Sequence, residues 1–356
     1  LAEALAIEHY VYAVEFYDWR TYYLLRPTWS SRTPSTSLKQ FMQVMPTGYA
    51  GRLEKLFRFG LQQRIKQWCQ EIKRVSNQNP WVITTHPNQS YWVRKVPPER
   101  LIYYNFDDYT LYRPNREKEI LEKEKELIER ASITLCASYF QMAAFQKRYP
   151  HKASCILHYP HGFVNTYLNP QPEKPPEAMT VGYVGNLGNR LNWQLIYRIA
   201  QSCPDITFVF VGGKDETIDT TGWQQERKAV LGLSNVRHIG KVPPDQVAKY
   251  YWSFSVNWIP YLVEHPFNKA ACPTKIMDGI ASGRPVLSTD IPECRLYPEW
   301  IQIFTSVENA RALIHQQIVL SEVEAYEKSK KQLEFARQNT WQFRAQFLKV
   351  WLSKIH

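Results

Sequence analysis

Hydrophobic positions in the second half of the chain switch regularly between two periods. The runs "TVGYVG", "ITFVFVGG", "VRHIG", "SFSVNWIP" and "PVLST" are short, apolar and rich in β-branched or aromatic residues, as strands are. Between them "NWQLIYRIAQSC", "PDQVAKYYW" and "TKIMDGIAS" space their apolar residues as helices do. This alternation predicts a parallel sheet covered by helices on both faces. In the first half, "PWVITTHP" and "RLIYYNFDDY" read as strands that end in turn or polar residues.

The stretch "GRLEKLFRFGLQQRIKQWCQEIKRV" sets Leu53, Phe57, Leu61, Ile65 and Trp68 at helical spacing beside a basic face. It reads as a core-facing helix, or as a surface that leans on anionic lipid. The run "REKEILEKEKELIERAS" alternates acids and bases with Glu119 one turn before Lys123, the pattern of a solvated, ion-paired helix to which no function is assigned. Prolines crowd "NPQPEKPPEAM", which reads as a semi-rigid linker. From about Ser321 to His356 the pattern predicts one long helix whose Trp341, Phe343, Phe347 and Trp351 turn from water. The opening "LAEALAIEHYVYAVEF" reads as an amphipathic helix running into a strand without an initiator Met, and implies that a first strand and its loop precede it.

Composition narrows this picture. A chain of 356 residues suggests two domains, each with its own core. A net charge of +11 implies an anionic partner: nucleic acid, a phosphorylated small molecule or an acidic membrane. No nucleic-acid-binding motif is recognisable, which sets that partner aside. The six cysteines form no C-x-x-C and no dense framework, so a reducing compartment, the cytoplasm, is expected. No apolar run is long enough to span a bilayer, and no signal peptide opens the chain.

Candidate chemistry gathers at predicted strand ends. Gly182, Gly185 and Gly188 follow the first strand of the regular half, but their spacing is not that of a dinucleotide fingerprint and no ribose-binding acid follows at the expected distance. A loop that lets its backbone and Arg190 approach a phosphate is the remaining reading. In "ACPTKIMDGIASGRPVLSTD", Pro273 suits a first helical position, and the free amides of that turn suit a diphosphate. Lys275 adds a positive charge, and Asp278 stands on the same face, able to accept from the two hydroxyls of a ribose. Gly283 ends the helix. An isolated K-x-x-D would read equally well as a surface pair.

The whole pattern from Pro273 to Val286 resembles the P-x-K-x-x-E-x-x-A-x-G-x-P-V signature of GT-B glycosyltransferases, in the superfamily that builds bacterial polysaccharides. The likeness runs back through "FSVNWIPY" to "VGYVGNLGNR", and more loosely through "LIYYNFDDY", "EKELIERASITLCASYFQ" and "LHYPHGFVNTYL". It implies an α/β chain of two Rossmann-like, doubly wound domains with a cleft between them and a C-terminal helix crossing back. The bounds expected are 1–172 for an acceptor-side domain lacking its first strand, 173–335 for a nucleotide-sugar domain, and 336–356 for the returning helix.

The resemblance also implies an activity: transfer of a hexosyl group from a nucleoside diphosphate sugar to a hydroxyl of a glycan or glycolipid, in cell-surface polysaccharide biosynthesis. The place would be the cytoplasm, peripheral at the inner membrane face. Gly185, Arg190 and Lys275 would hold the diphosphate and Asp278 the ribose, one methylene shorter than the family's Glu. Asn268 and His161 would lie near the donor sugar. Asp107, Asp108 and His86 are the candidates for the acceptor base; a capping pair and a turn histidine are the structural alternatives. The pair His158 and His161 has H-x-x-H spacing without a third ligand, and no two aspartates form D-x-D. No metal or other cofactor is expected, since cations and a helix N-terminus can stabilise the leaving diphosphate. The competing reading is a non-catalytic sugar-nucleotide or glycan-binding protein that keeps this fold.

Overall fold

The computed structural model describes residues 1–18, 37–45, 54–174, 176, 178–217, 221–319 and 322–353. Leu53 lies outside them. The chain divides into two units: unit 1 is Leu1–Pro160 together with Trp341–His356, and unit 2 is His161–Thr340.

Unit 1 opens with α1 (Ala2–Leu5), β1 (Val11–Asp18) and β2 (Leu38–Met45), the two strands pairing in parallel. The long helix α2 (Glu54–Ser76) leads to β3 (Val82–Thr84) and β4 (Leu101–Asn105); α3 (Glu117–Arg130), β5 (Ile133–Cys136), α4 (Tyr139–Arg148) and β6 (Ile156–His158) follow. Strands β3 to β6 form a parallel sheet in chain order. Every residue of β4 is buried, as a central parallel strand requires. Helix α2 faces the core through Leu61 and Trp68, with Leu61 packed among Met45 and Trp92 and with Phe57 and Ile65 at the margin. Its Leu56 and Phe59 stay exposed.

Helix α3 departs from the solvated helix expected. The ion pair of Glu119 with Lys123 forms at 2.9 Å, yet Lys123 is 2% exposed and Glu124 4%. The Glu124 carboxylate accepts from Tyr103 Oη at 2.9 Å and from Asn105 Nδ2 at 3.3 Å, both on β4. Lys123 also donates to Asn88 Oδ1 at 3.3 Å and lies 5.5 Å from the Tyr91 ring. A run of alternating charges reads the same whether or not a sheet covers one of its faces, so the burial was not visible in the pattern.

Unit 2 continues with β7 (Thr180–Val184), α5 (Trp193–Ser202), β8 (Thr207–Val211), α6 (Trp223–Leu231), β9 (Val236–Gly240) and α7 (Val247–Ser253). Then come β10 (Val256–Ile259), α8 (Pro266–Ala270), α9 (Thr274–Ala281), β11 (Val286–Ser288), β12 (Ile301–Ile303), α10 (Val307–Ile318) and α11 (Glu322–Arg337). The six-stranded sheet is parallel throughout, in the order β12-β11-β10-β7-β8-β9. The chain therefore winds outward from β7 one way to β9 and then, from β10, the other way. The reversal falls between β7 and β10, where open parallel sheets leave a crevice for ligands outside their carboxyl ends.

Strand β12 and helices α6, α8 and α10 were not anticipated; three residues of β12 are too few to show a period. The long terminal helix is in fact two. It breaks where Thr340 pairs with Phe163 and Phe163 N donates to Asn339 O at 3.0 Å. The last helix, α12 (Trp341–Ser353), belongs to unit 1, with Tyr159 Oη donating to Arg344 O at 2.6 Å and Lys349 paired with Glu8. It buries Ala345 and Leu348 and leaves Phe343 and Phe347 about half exposed, against the expectation that these rings turn from water. All six cysteines are free thiols, and among the described residues no helix is long and apolar enough to cross a membrane.

Candidate functional site

The site in unit 2 is built at the sheet's reversal. Helix α9 starts abruptly, but Pro273 is its N-cap, at φ −65° and ψ 127°, one position earlier than expected. The carbonyl of Pro273 accepts from Ile276 N at 3.0 Å, and the amides of Thr274 and Lys275 are left without intrahelical acceptors. Gly283, at φ +67°, ends the helix in the left-handed conformation.

Gly185, the first residue after β7, has φ +148°. A Cβ there would lie 2.6 Å from Cε and from Nζ of Lys275, so the lysine stem can lie along this loop only because the residue is glycine. Lys275 Nζ is 5.3 Å from the centre of the Tyr183 ring and 5.9 Å from that of Tyr261. Tyr261 follows β10, and the Arg190 guanidinium lies 5.0 Å from the centre of the same ring and 5.9 Å from that of Phe267. Two cations thus converge on one buried ring. Among the described residues no acid stands within ion-pair distance of either.

Arg190 is held by Asn268. Its Nε donates to Asn268 Oδ1 at 2.8 Å, while Asn268 Nδ2 donates to Arg190 O at 2.8 Å and Leu262 O at 2.9 Å. Asn268 is wholly buried, so its amide reaches a ligand only through Arg190. Asp278 lies one turn into α9. Burial pushes its carboxyl up to about 7, opposed by the charge of Lys275 and a hydrogen bond from Tyr251. His161 opens unit 2, and its backbone N–H meets the sulfur of Cys272, beside the start of α9.

The three unit 1 candidates sit beyond the ends of β3 and β4. His86 caps a short 3₁₀ turn, its Nδ1 accepting from Asn88 N at 3.0 Å. Burial, then the nearby charges of Lys123 and Arg113, hold the imidazole down at about 4. It is therefore neutral near pH 7, with its proton on Nε2. Asp108 caps the next turn, accepting from Thr110 N at 3.1 Å and Thr110 Oγ1 at 2.6 Å. Asp107 accepts from Asp108 N at 3.0 Å and Tyr112 Oη at 2.7 Å. Tyr109 ties the two loops together: its hydroxyl donates to Thr85 O at 2.5 Å and its ring lies 4.3 Å from that of His86.

Two residues escaped the sequence reading. Tyr261 carries both cations, and its position just after a strand beside the reversal was the signal available. Glu124 has a carboxyl that burial, and then the charge of Asp108, raises to about 7 against hydrogen bonds from Tyr103 and Asn105. Nothing in its charged surroundings marked it.

Residues 178–318 match the family model described as glycosyl transferases group 1. The chain is 26% identical over 184 residues to the putative teichuronic acid biosynthesis glycosyltransferase TuaH of Bacillus subtilis (strain 168). That match takes in 50% of this chain and 45% of the relative, so the chain spans about half the length of the curated protein it matches. Among solved structures, sucrose-phosphate synthase from Thermosynechococcus elongatus superposes with a TM-score of 0.66 at 16% identity, covering 99% of this chain and 91% of that one. Anabaena HepE in complex with UDP gives 0.63 at 15%, covering 89% and 86%. A trehalose-6-phosphate protein of E. coli bound with UDP-2-fluoro glucose gives 0.66 at 9%, covering 98% and 94%. The chain has the GT-B fold, and residues 178–318 of its second unit are similar to the glycosyl transferases group 1 family.

Proposed function

We propose that the chain transfers a hexosyl group from a nucleoside diphosphate sugar bound by unit 2 to a hydroxyl of a glycan or glycolipid. The observation that carries this reading is the pair of cations, Arg190 and Lys275, that share the Tyr261 ring at the sheet's reversal, with no carboxylate within ion-pair distance of either among the described residues. Such a pair, with the amides that open α9, suits the diphosphate that gains charge as the glycosidic bond breaks. Asp278 then accepts from the ribose hydroxyls, and Asn268 positions Arg190. The UDP recorded with HepE and with the E. coli protein favours a uridine donor. The TuaH likeness favours a role in polysaccharide synthesis.

On the acceptor side, Asp107 and Asp108 are the carboxylates proposed to receive the hydroxyl proton, with neutral His86 donating from Nε2 to hold the sugar. The exposed Leu56 and Phe59 of α2, on a helix that also carries Arg64, Lys66, Lys73 and Arg74, suit the headgroup region of an anionic membrane at its cytoplasmic face, where a lipid-linked acceptor would be met. The leaving group is stabilised by side chains alone.

The experiment is release of nucleoside diphosphate from UDP-glucose, UDP-galactose and their N-acetyl forms, with a glycan acceptor mixture and excess EDTA. Turnover at the same rate with and without chelator is expected. Loss of turnover on chelation would refute the metal-free step, and donor binding without turnover would point instead to a sugar-nucleotide-binding protein.

A further inference from the structure

A second groove of about 690 Å³ lies in unit 2, far from the reversal site. Met179, Ser255 and Pro285 line it, and each immediately precedes or opens onto a strand: β7, β10 and β11. The groove therefore runs along the amino-terminal edge of the sheet, whereas Gly185 and Tyr261 stand at the carboxyl edge. Strands of this length hold the two edges roughly 15 Å apart.

Its outer wall is α11, fixed in place because Gln332 Nε2 donates to Ile280 O at 3.0 Å and to Arg284 O at 2.9 Å. Two further glutamines lie along it, Gln302 on β12 and Gln317 in the last turn of α10. Gln317 is 8% exposed and its Nε2 has no hydrogen-bond partner; Gln302 Oε1 is likewise buried and unpartnered. A buried amide group without a partner is unfavourable, so two beside one groove call for an explanation. Both side chains line the groove.

The aromatic rings Trp300 and Tyr326 line the same groove, Trp300 backed by Phe335 at 5.3 Å. Its charged side chains balance: Glu173, Glu299 and Glu322 against Arg284, Lys328 and Lys331. The guanidinium of Arg284 is moreover spent on backbone carbonyls, those of Trp252 and Lys174. A phosphate or polyanion would find no net positive field here.

We propose that this groove binds a neutral oligosaccharide, its sugar C–H faces against Trp300 and Tyr326 and its hydroxyls paired with the amides of Gln302 and Gln317. A vicinal hydroxyl pair both donates and accepts, as an amide does, and aromatic rings cover the apolar faces of pyranoses. The ligand class follows from the lining alone and stands whether or not unit 2 transfers sugar. Where it does, a glycan held here tethers the chain to its polymer outside the reacting site.

The test is calorimetric titration of the whole chain with maltohexaose, cellohexaose and chitohexaose, beside the anionic hyaluronan hexasaccharide. At least one neutral hexasaccharide should bind with a Kd of about 1 mM. Gln302→Leu/Gln317→Leu should weaken that binding roughly tenfold without lowering Tm, because it removes unpartnered polar groups. Tyr326→Ala, on an exposed ring, should weaken it as well, and both variants should bind UDP as the parent chain does. Absence of binding by all three neutral sugars at about 10 mM, equal binding by the parent and both variants, or preference for hyaluronan would each overturn the proposal.

Discussion

Lys275→Met is expected to lower kcat by about 10²–10³-fold, with Tm unchanged, in an assay of nucleoside diphosphate release. The methionine keeps the length and apolar stem that lie along Gly185 and against Tyr183 and Tyr261, so packing survives. What is lost is a charge placed where the leaving diphosphate develops its own. Arg190 remains beside Tyr261, which is why the loss should stop short of abolition. A variant with unchanged kcat would remove Lys275 from the chemistry. One that loses kcat together with Tm would show instead that the lysine holds the loop.

Nucleotide affinity should rise as pH increases from 6 to 8 and then level off. The Asp278 carboxyl of the free protein titrates at about 7 because burial disfavours its charge. Accepting from two ribose hydroxyls needs the ionised form, so binding releases a proton below that pH. At pH 6 about a tenth of the sites are ionised, and affinity should be about tenfold below its plateau. Asp278→Asn should bind more weakly and lose this part of the pH dependence, leaving only the titration of the nucleotide's own phosphate. An identical pH profile in the variant would exclude the carboxylate from the ribose contact. The folded protein shows the same proton in its stability: a carboxyl raised from 3.8 to about 7 binds more protons folded than unfolded between those values, so its contribution falls as pH rises through that window and is flat above it.

The features legible in the sequence were those carried by local spacing. The first five strands of unit 2 stood out because each is apolar, short and bounded, and Lys275 and Asp278 could be placed on one helical face from three-residue spacing alone. The glycine that ends α9 was equally local. The converging cations were not, since Arg190 and its partner Asn268 are 78 residues apart and meet only because the strand order reverses between β7 and β10. The same holds in unit 1. Asp107, Asp108 and His86 were placed correctly at strand ends, but the caps that engage them depend on turn geometry, and the burial of Lys123 and Glu124 depends on which face of α3 meets β4. The single long C-terminal helix failed for a related reason: the pairing of Thr340 with Phe163 that interrupts it joins positions remote in the chain.

The central claim is that the sheet reversal of unit 2 is a nucleoside diphosphate site. Calorimetric titration of the intact chain with UDP, GDP, ADP and dTDP, chelator present, tests it most directly. The account predicts that one nucleotide, UDP first among them, binds with a Kd of about 1–100 µM and that Lys275→Met weakens it. A folded chain that binds none of the four would contradict it.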